Sequence, residues 1–88
     1  MKPYTRNYFD FFGIEYDIPT GYHDYIDCEF CKSQAVEIHH IIKKSQGGKD
    51  NVENLIAVCR SCHNKAHDET LKQKDLQRIH DINILKNG

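Results

Sequence analysis

Apolar residues recur at helical spacing near both ends of the chain. Aromatic side chains four residues apart predict an amphipathic helix over residues 1–13 that ends at Gly13. Aliphatic side chains at near-helical spacing predict a second helix over residues 71–86, packed back on the domain. Such an aromatic stripe is more often core than a platform for stacking bases. The two stripes consist of Tyr4, Tyr8, Phe12, Leu71, Leu76, Ile79, Ile82 and Leu85.

Between these helices the apolar residues come in short runs typical of strands. Residues 35–42 (AVEIHHII) and 55–58 (LIAV) are rich in β-branched side chains and predict two strands, with a turn at Gly47 and Gly48 between them. Residues 14–18 alternate as a short extended segment would. A helix is expected from about residue 60 to residue 70. The pattern predicts a small α+β domain.

The four cysteines form two C-x2-C pairs, Cys28 with Cys31 and Cys59 with Cys62. Two such pairs suit a closed tetrahedral zinc site. A chain of 88 residues buries a modest core, and small domains often depend on a metal or on disulfides. A structural zinc contributes roughly 10–16 kcal/mol in favourable peptides, which is comparable to the net stability of a whole domain, roughly 5–15 kcal/mol.

Two disulfides are the alternative use of these cysteines. The chain opens MKPYTRNYFD, without the apolar region of a signal peptide, and no apolar run approaches the length of a membrane span. These observations favour a cytoplasmic location, in a bacterial or phage-infected host cell, and no membrane association. In that compartment paired C-x2-C motifs favour zinc over disulfides.

Charge is distributed unevenly along the chain, although the formal net charge is only −1. Residues 7–31 carry six acidic residues and no Lys or Arg, whereas residues 39–67 carry five basic residues against two acidic ones. Local potential, rather than net charge, attracts a phosphate backbone. For any single lysine, a solvated surface position is the simpler interpretation. The candidate DNA-binding residues are Lys43, Lys44, Lys49, Arg60 and Lys65.

Four of the six histidines lie within residues 28–67. His63 and His67 are spaced i, i+4 and share one face of the predicted helix. His39 and His40 are adjacent on a predicted strand and point to opposite faces, so one ion cannot bind both. Surface pairs without a ligand are the simpler alternative for each. Outside this stretch, His23 is expected at the surface, and His80 has no partner in the sequence and no assigned role.

The words around these residues resemble the HNH endonuclease family in its four-cysteine version, with phage and prophage members. The matching words are E-I-H-H-I at 37–41, G-G at 47–48, E-N-L at 53–55 and C-R-S-C-H-N-K-A-H at 59–67. The namesake residues correspond to His40, Asn54 and His63. The resemblance implies a ββα-metal, treble-clef-like fold with a four-cysteine zinc, flanked here by N- and C-terminal helices.

The resemblance covers the core motif, residues 28–67, firmly and the aromatic segment 1–27 loosely, and the helix at 71–86 lies outside it. We therefore expect residues 1–88 to form a single HNH nuclease domain.

The resemblance also implies a role for each site residue. His40 is expected as the general base, His39 as the metal ligand on the strand, and His63 and His67 as ligands on the helix. Asn54 is expected to hydrogen-bond the loop after the first strand and so hold His40, although an ordinary turn asparagine is the competing interpretation. Glu37 is as compatible with orienting a histidine as with facing solvent.

These roles predict a metal-dependent DNA endonuclease or nickase. A neutral histidine can take a proton from water, and a divalent ion can stabilise the phosphoryl charge and the leaving 3′-oxygen. The expected cofactors are a structural Zn²⁺ and a catalytic Mg²⁺, Mn²⁺, Ni²⁺ or Zn²⁺. The expected partners are DNA and a phage packaging or other guiding protein. The alternative is a non-catalytic treble-clef zinc module that binds nucleic acid or protein.

Overall fold

The computed structural model describes residues 2–87 and confirms the small α+β fold. Three helices flank a two-stranded antiparallel sheet in the described part of the chain. The elements are α1 (Pro3–Phe12), β1 (Glu37–His40), β2 (Leu55–Val58), α2 (Arg60–His67) and α3 (Gln73–Asn87), with 3₁₀ turns at Lys44–Gln46 and Val52–Asn54. The order β1, β2, α2 is the ββα arrangement that the family resemblance implies.

Helix α1 has the ends that its sequence predicts. Pro3 occupies its first turn, where a missing N–H costs nothing. Gly13 ends the helix in the left-handed region at φ 67°, and its N–H bonds to the carbonyl of Phe9. Tyr8 and Phe9 are buried, which confirms that the aromatic stripe is core. The helix predicted over residues 1–13 is thus confirmed, except at Met1, which lies outside the described residues.

Strand β1 is shorter than the predicted 35–42. Its four residues pair with β2 from Glu37 opposite Val58 to His40 opposite Leu55. The N–H of Ile41 bonds to the backbone carbonyl of Asn54, which extends the pairing by one residue, and the chain then bends at Ile41 and Ile42. The alternating residues 14–18 form no strand either.

Strand β2 is buried on both faces, which explains its uninterrupted apolar sequence. Leu55 and Ala57 pack in one cluster with Tyr8 and Phe9 of α1. Ile56 and Val58 point to the opposite side and join the other cluster, made of Cys28, Ile41, Ile56, Val58, Cys59, Cys62 and Leu76. The strand therefore separates the α1 side of the domain from the side that carries the cysteines and α3.

The remaining helices are close to the predicted bounds. Helix α2 ends at His67 rather than at residue 70, and α3 begins at Gln73 rather than at residue 71. An Asp75 carboxylate oxygen accepts the N–H of Lys72 at 3.2 Å, which caps the start of α3. Between residues 2 and 87, no helix combines the length and apolar content needed to cross a membrane.

His80, which has no assigned role from sequence, is fully buried and joins α3 to the first cysteine pair. Its Nδ1 lies 2.8 Å from an oxygen of Glu29, and its Nε2 faces the carbonyl oxygen of Val52. Both partners accept, so the ring must donate twice and carries a positive charge. Burial alone would lower the pKa of His80, but the hydrogen bond and charge of Glu29 outweigh it and raise that pKa. Tyr8 and Asn83 also donate to Glu29.

Candidate metal centres and active site

The four cysteine sulfurs meet at the junction of the two chain segments that carry them. Cys59 is the N-cap of α2 and Cys62 lies in its first turn, while Cys28 and Cys31 lie in the turn before β1. All four are free thiols, and their sulfurs lie within 4.8 Å of one another. A tetrahedral zinc with bonds of about 2.3 Å requires sulfurs about 3.8 Å apart. The cluster therefore fits the zinc site predicted from the two C-x2-C pairs.

The thiols of this cluster would need a nearby cation to ionise together. Burial raises the pKa of Cys62 well above its usual range, and the neighbouring sulfurs add to that effect. Hydrogen bonds from Ser33 lower the pKa of the exposed Cys31 to about 6. Burying several thiolates together requires a compensating positive charge, which a bound zinc ion supplies.

A second cluster consists of Glu37, His39 and His63, with one ligand atom of each within 4.8 Å of the others. Glu37 and His39 are two positions apart on β1, so their side chains leave the same face of the strand. His63 follows Cys62 directly in α2 and faces them, with its Nε2 2.7 Å from a Glu37 oxygen. Two imidazoles and one carboxylate are acceptable ligands for several divalent ions.

His67 lies one helical turn beyond His63, with the two ring centroids 5.3 Å apart. It shares the histidine face of α2, as the i, i+4 spacing predicts, but it is exposed and outside the three-residue cluster. The structure thus brings Glu37 together with His39 and His63. The ligand set expected from the sequence had His67 in the place of Glu37. The i, i+2 spacing of Glu37 and His39 on a strand was the available signal.

His39 is the more buried part of this cluster. Desolvation lowers its pKa, and the nearby His63 lowers it further. A neutral imidazole keeps a lone pair free for a metal ion. The environment of His39 therefore favours the form that binds metal.

His40 points away from His39 and contacts a carboxylate that sequence reasoning missed. Its Nε2 lies 2.8 Å from Asp50, and the Asp50 carboxylate also accepts from Lys44 at 3.2 Å. The hydrogen bond from His40 is the main cause of the lowered pKa of Asp50. The ring of Tyr4, from α1, packs edge-on against His40 with centroids 4.5 Å apart. His40 is therefore held from two sides.

Asn54 ties together the loop that carries Asp50. Its side-chain oxygen accepts the N–H of Ile42 at 2.7 Å, and its amide donates to the carbonyls of Ile42 and Lys49. Gly48 lies so close to this loop that a Cβ would come within 1.7 Å of the Ile42 oxygen. These contacts explain why the loop contains both an asparagine and a glycine at these positions.

Both sets of histidines line one open depression of about 340 Å³. Lys43 and Lys44 lie on its wall, and Lys49 lines the neighbouring depression of the glycine loop. Arg60 and Lys65 are exposed on α2, and neither of them lines these two depressions. Of the five basic residues predicted to bind DNA, three are therefore grouped around the histidines.

This geometry agrees with the comparisons to known proteins. Residues 28–69 match the family model described as HNH endonuclease. The chain is 36% identical over 50 residues to the type IV methyl-directed restriction enzyme EcoKMcrA of Escherichia coli (strain K12). It is 44% identical over 34 residues to an anaredoxin of Nostoc sp..

The alignments cover only part of each protein. They include 46% and 39% of this chain, and 18% and 45% of the E. coli and Nostoc proteins respectively. The chain thus spans less than half the length of either relative. The activities of the whole relatives are therefore not transferred directly to it.

Proposed function

We propose that the protein is a metal-dependent endonuclease or nickase that hydrolyses phosphodiester bonds in DNA. The single observation that carries this proposal is the grouping of His40 and the cluster of Glu37, His39 and His63 in one open depression. Water activation and charge stabilisation must act on the same phosphate, so the two groups must lie close together. The match of residues 28–69 to the HNH endonuclease model and the similarity to a restriction enzyme support the same function.

In this proposal His40 is the general base. Its Nε2 is engaged by Asp50, which leaves Nδ1 to take the proton from the attacking water. The Asp50 carboxylate fixes the ring orientation and stabilises the proton that the imidazole gains. Tyr4 packs against the ring and limits its rotation. Asn54 holds the loop that carries Asp50, which gives it a positioning role.

Glu37, His39 and His63 would hold the catalytic ion, with His67, one helical turn beyond His63, as a further candidate ligand. When bound, the ion supplies positive charge to the phosphoryl oxygens and to the leaving 3′-oxygen. Mg²⁺, Mn²⁺, Ni²⁺ and Zn²⁺ are all compatible with these ligands. Cys28, Cys31, Cys59 and Cys62 would hold a structural Zn²⁺. The products would carry 5′-phosphate and 3′-hydroxyl ends.

The test is plasmid cleavage with each candidate divalent ion. We expect the wild-type protein to convert supercoiled plasmid to nicked or linear forms, and His40→Ala to do so about 10²–10⁴ times more slowly, the usual contribution of a general base. His23→Ala is the matched control, since His23 is an exposed histidine outside the described site. Equal cutting by wild type and His40→Ala, or cutting by neither, contradicts the proposal.

A non-catalytic zinc module is the second candidate. The cysteine cluster is complete without the histidines. This candidate predicts one zinc per chain, no plasmid cleavage, and no change in nucleic-acid binding when His40 is replaced.

We further propose that a partner directs the nuclease. The matched region is only 18% of the restriction enzyme's length, so sequence selection there can reside outside it. The partner would be a guiding protein such as phage packaging machinery, acting in the cytoplasm of a bacterium or infected host. A long, defined recognition site for the isolated chain would contradict this proposal.

A further inference from the structure

Three surface depressions adjoin one another in the described part of the domain. The depression of the glycine loop shares Lys44 with the histidine depression. The histidine depression in turn shares His39 and Lys43 with a larger cleft of about 550 Å³. The candidate active site therefore lies between two neighbouring depressions and shares lining residues with both.

The large cleft lies where α2 ends and α3 begins. Lys43 borders it on the β1 side, and Lys72 and Lys74 border it on the α3 side. One acidic residue, Glu69, also lines the cleft. Three lysines against one glutamate give this cleft an excess of positive charge. Such a surface favours binding of a polyanion.

A side-chain hydrogen bond links the two walls of the cleft. The side-chain amide of Gln73 donates to Gln46 at 2.9 Å, which links the start of α3 to the loop after β1. The N–H of Lys72 is bonded to Asp75, so its backbone is fixed while its side chain extends from it. Leu76 is buried beneath the cleft and anchors α3 to the core. The lysines are therefore presented from an ordered surface.

We propose that the backbone of the cleaved DNA strand runs from the histidine depression into this cleft, where Lys72 and Lys74 contact phosphates that flank the scissile one. This inference rests on the proposed nuclease function and adds the direction in which the strand leaves the site. It assigns a role to a segment beyond the matched residues 28–69.

The test is the salt dependence of DNA binding. The double variant Lys72→Ala/Lys74→Ala is compared with Lys86→Ala, whose lysine lies at the far end of α3, about 18 Å from Lys74 at 1.5 Å per residue. Binding to a fluorescent duplex is measured by anisotropy over a range of salt concentrations, with the His40→Ala background preventing cleavage. Each lost phosphate contact lowers the slope of log K against log salt by about 0.9. We expect a decrease of about 1.8 for the double variant and none for Lys86→Ala.

An unchanged slope for the double variant overturns the inference. A Lys72→Arg/Lys74→Arg variant that restores the wild-type slope supports it, because it separates charge from any folding defect. Circular dichroism and zinc content of each variant are checked first. A competing acidic peptide that displaces DNA as well as an equal charge of oligonucleotide contradicts the assignment of the cleft to a phosphate backbone.

Hydrolysis assays separate this inference from the proposed function. Bis(4-nitrophenyl) phosphate is small enough to bind at the histidines without occupying the cleft. In this proposal a DNA strand contacts both the histidines and the cleft. We expect the double variant to keep its rate on the small diester and to lose rate on DNA. If the protein with His40 intact hydrolyses neither substrate, the nuclease proposal fails, and the salt slope still decides whether the cleft binds a strand.

Discussion

The sulfur cluster and the cluster of Glu37, His39 and His63 share helix α2 but differ in exposure. Three of the four cysteines are buried, whereas Glu37 is exposed and the two histidines are half-buried. Both clusters meet at α2, where Cys62 and His63 are adjacent. In the first turn of this helix, Cys62 is buried in the core and His63 lines the open depression.

The difference indicates a division of roles within one small domain. Four sulfur ligands fill the tetrahedral coordination of a zinc ion and leave no position for substrate, which is typical of a structural site. An open site of two imidazoles and a carboxylate leaves coordination positions for water and substrate. Changes to the first cluster should therefore act on folding, and changes to the second on metal affinity and rate.

The largest expected effect is that of Cys59→Ser. It removes a ligand and also the sulfur that accepts the N–H of Cys62 at the start of α2. Because a structural zinc contributes roughly 10–16 kcal/mol, we expect the variant to be unfolded. Circular dichroism and zinc content by mass spectrometry measure this outcome. His63→Ala, one residue beyond Cys62, is the matched control and should stay folded with one zinc. Equal unfolding of both variants would contradict the proposed division between a structural and a catalytic cluster.

The next effect concerns Asp50 and the candidate base. Asp50→Asn keeps the size of the side chain but removes the charge that faces His40. We expect cleavage to slow by less than the factor of about 10²–10⁴ expected for His40→Ala, with zinc content and metal affinity unchanged. Single-turnover cleavage at saturating metal measures the step. A wild-type rate for Asp50→Asn would show that the carboxylate does not position the base.

His80→Leu tests the scaffold without touching a ligand. It leaves the buried Glu29 without its cationic partner, which typically costs about 3–5 kcal/mol. Urea denaturation should show this loss, while the affinity for the second metal ion stays as in the wild type. His23→Leu, an exposed histidine, should change stability by less than about 0.5 kcal/mol.

The stability contribution of His80 should also depend on pH. Its pKa is raised in the folded state, so folding favours the protonated ring. The contribution is fully present below the unfolded value of about 6.5 and is lost as pH rises through the folded pKa. We expect the stability difference between wild type and His80→Leu, measured at equal zinc saturation, to shrink above that pH. Tyr8 and Asp81 also lie near His80. A stability difference that grows with pH would contradict the charged pair of His80 and Glu29.

The smallest effect distinguishes Glu37 from His67. The structure places Glu37 within the cluster and His67 outside it. We expect Glu37→Gln to weaken divalent metal binding by more than about tenfold, because losing only a hydrogen-bonding partner of a ligand already costs about that much. His67→Ala should weaken binding less. The reverse order would restore the ligand set that the sequence alone suggested.

The sequence predicts those features that depend on neighbours a few residues apart. The ends of α1, the buried strand β2 and the two cysteine pairs all follow from local spacing. The ion pairs do not, because they join distant positions: His40 and Asp50 are 10 residues apart, and His80 and Glu29 are 51 apart. Periodicity carries no information about which charged residues the fold brings together. The role of Glu37 falls between these cases, since its strand face was predictable but its partner on α2 was not.

The most direct test is calorimetric titration of Mn²⁺ into zinc-loaded protein. Mn²⁺ binds most divalent sites more weakly than zinc and should not displace it from thiolates. The account predicts one Mn²⁺ per chain, with binding abolished in a Glu37→Gln/His63→Ala double variant that retains its zinc and its fold. No Mn²⁺ binding by the wild type, or equal binding by the double variant, would contradict the existence of a separate catalytic centre.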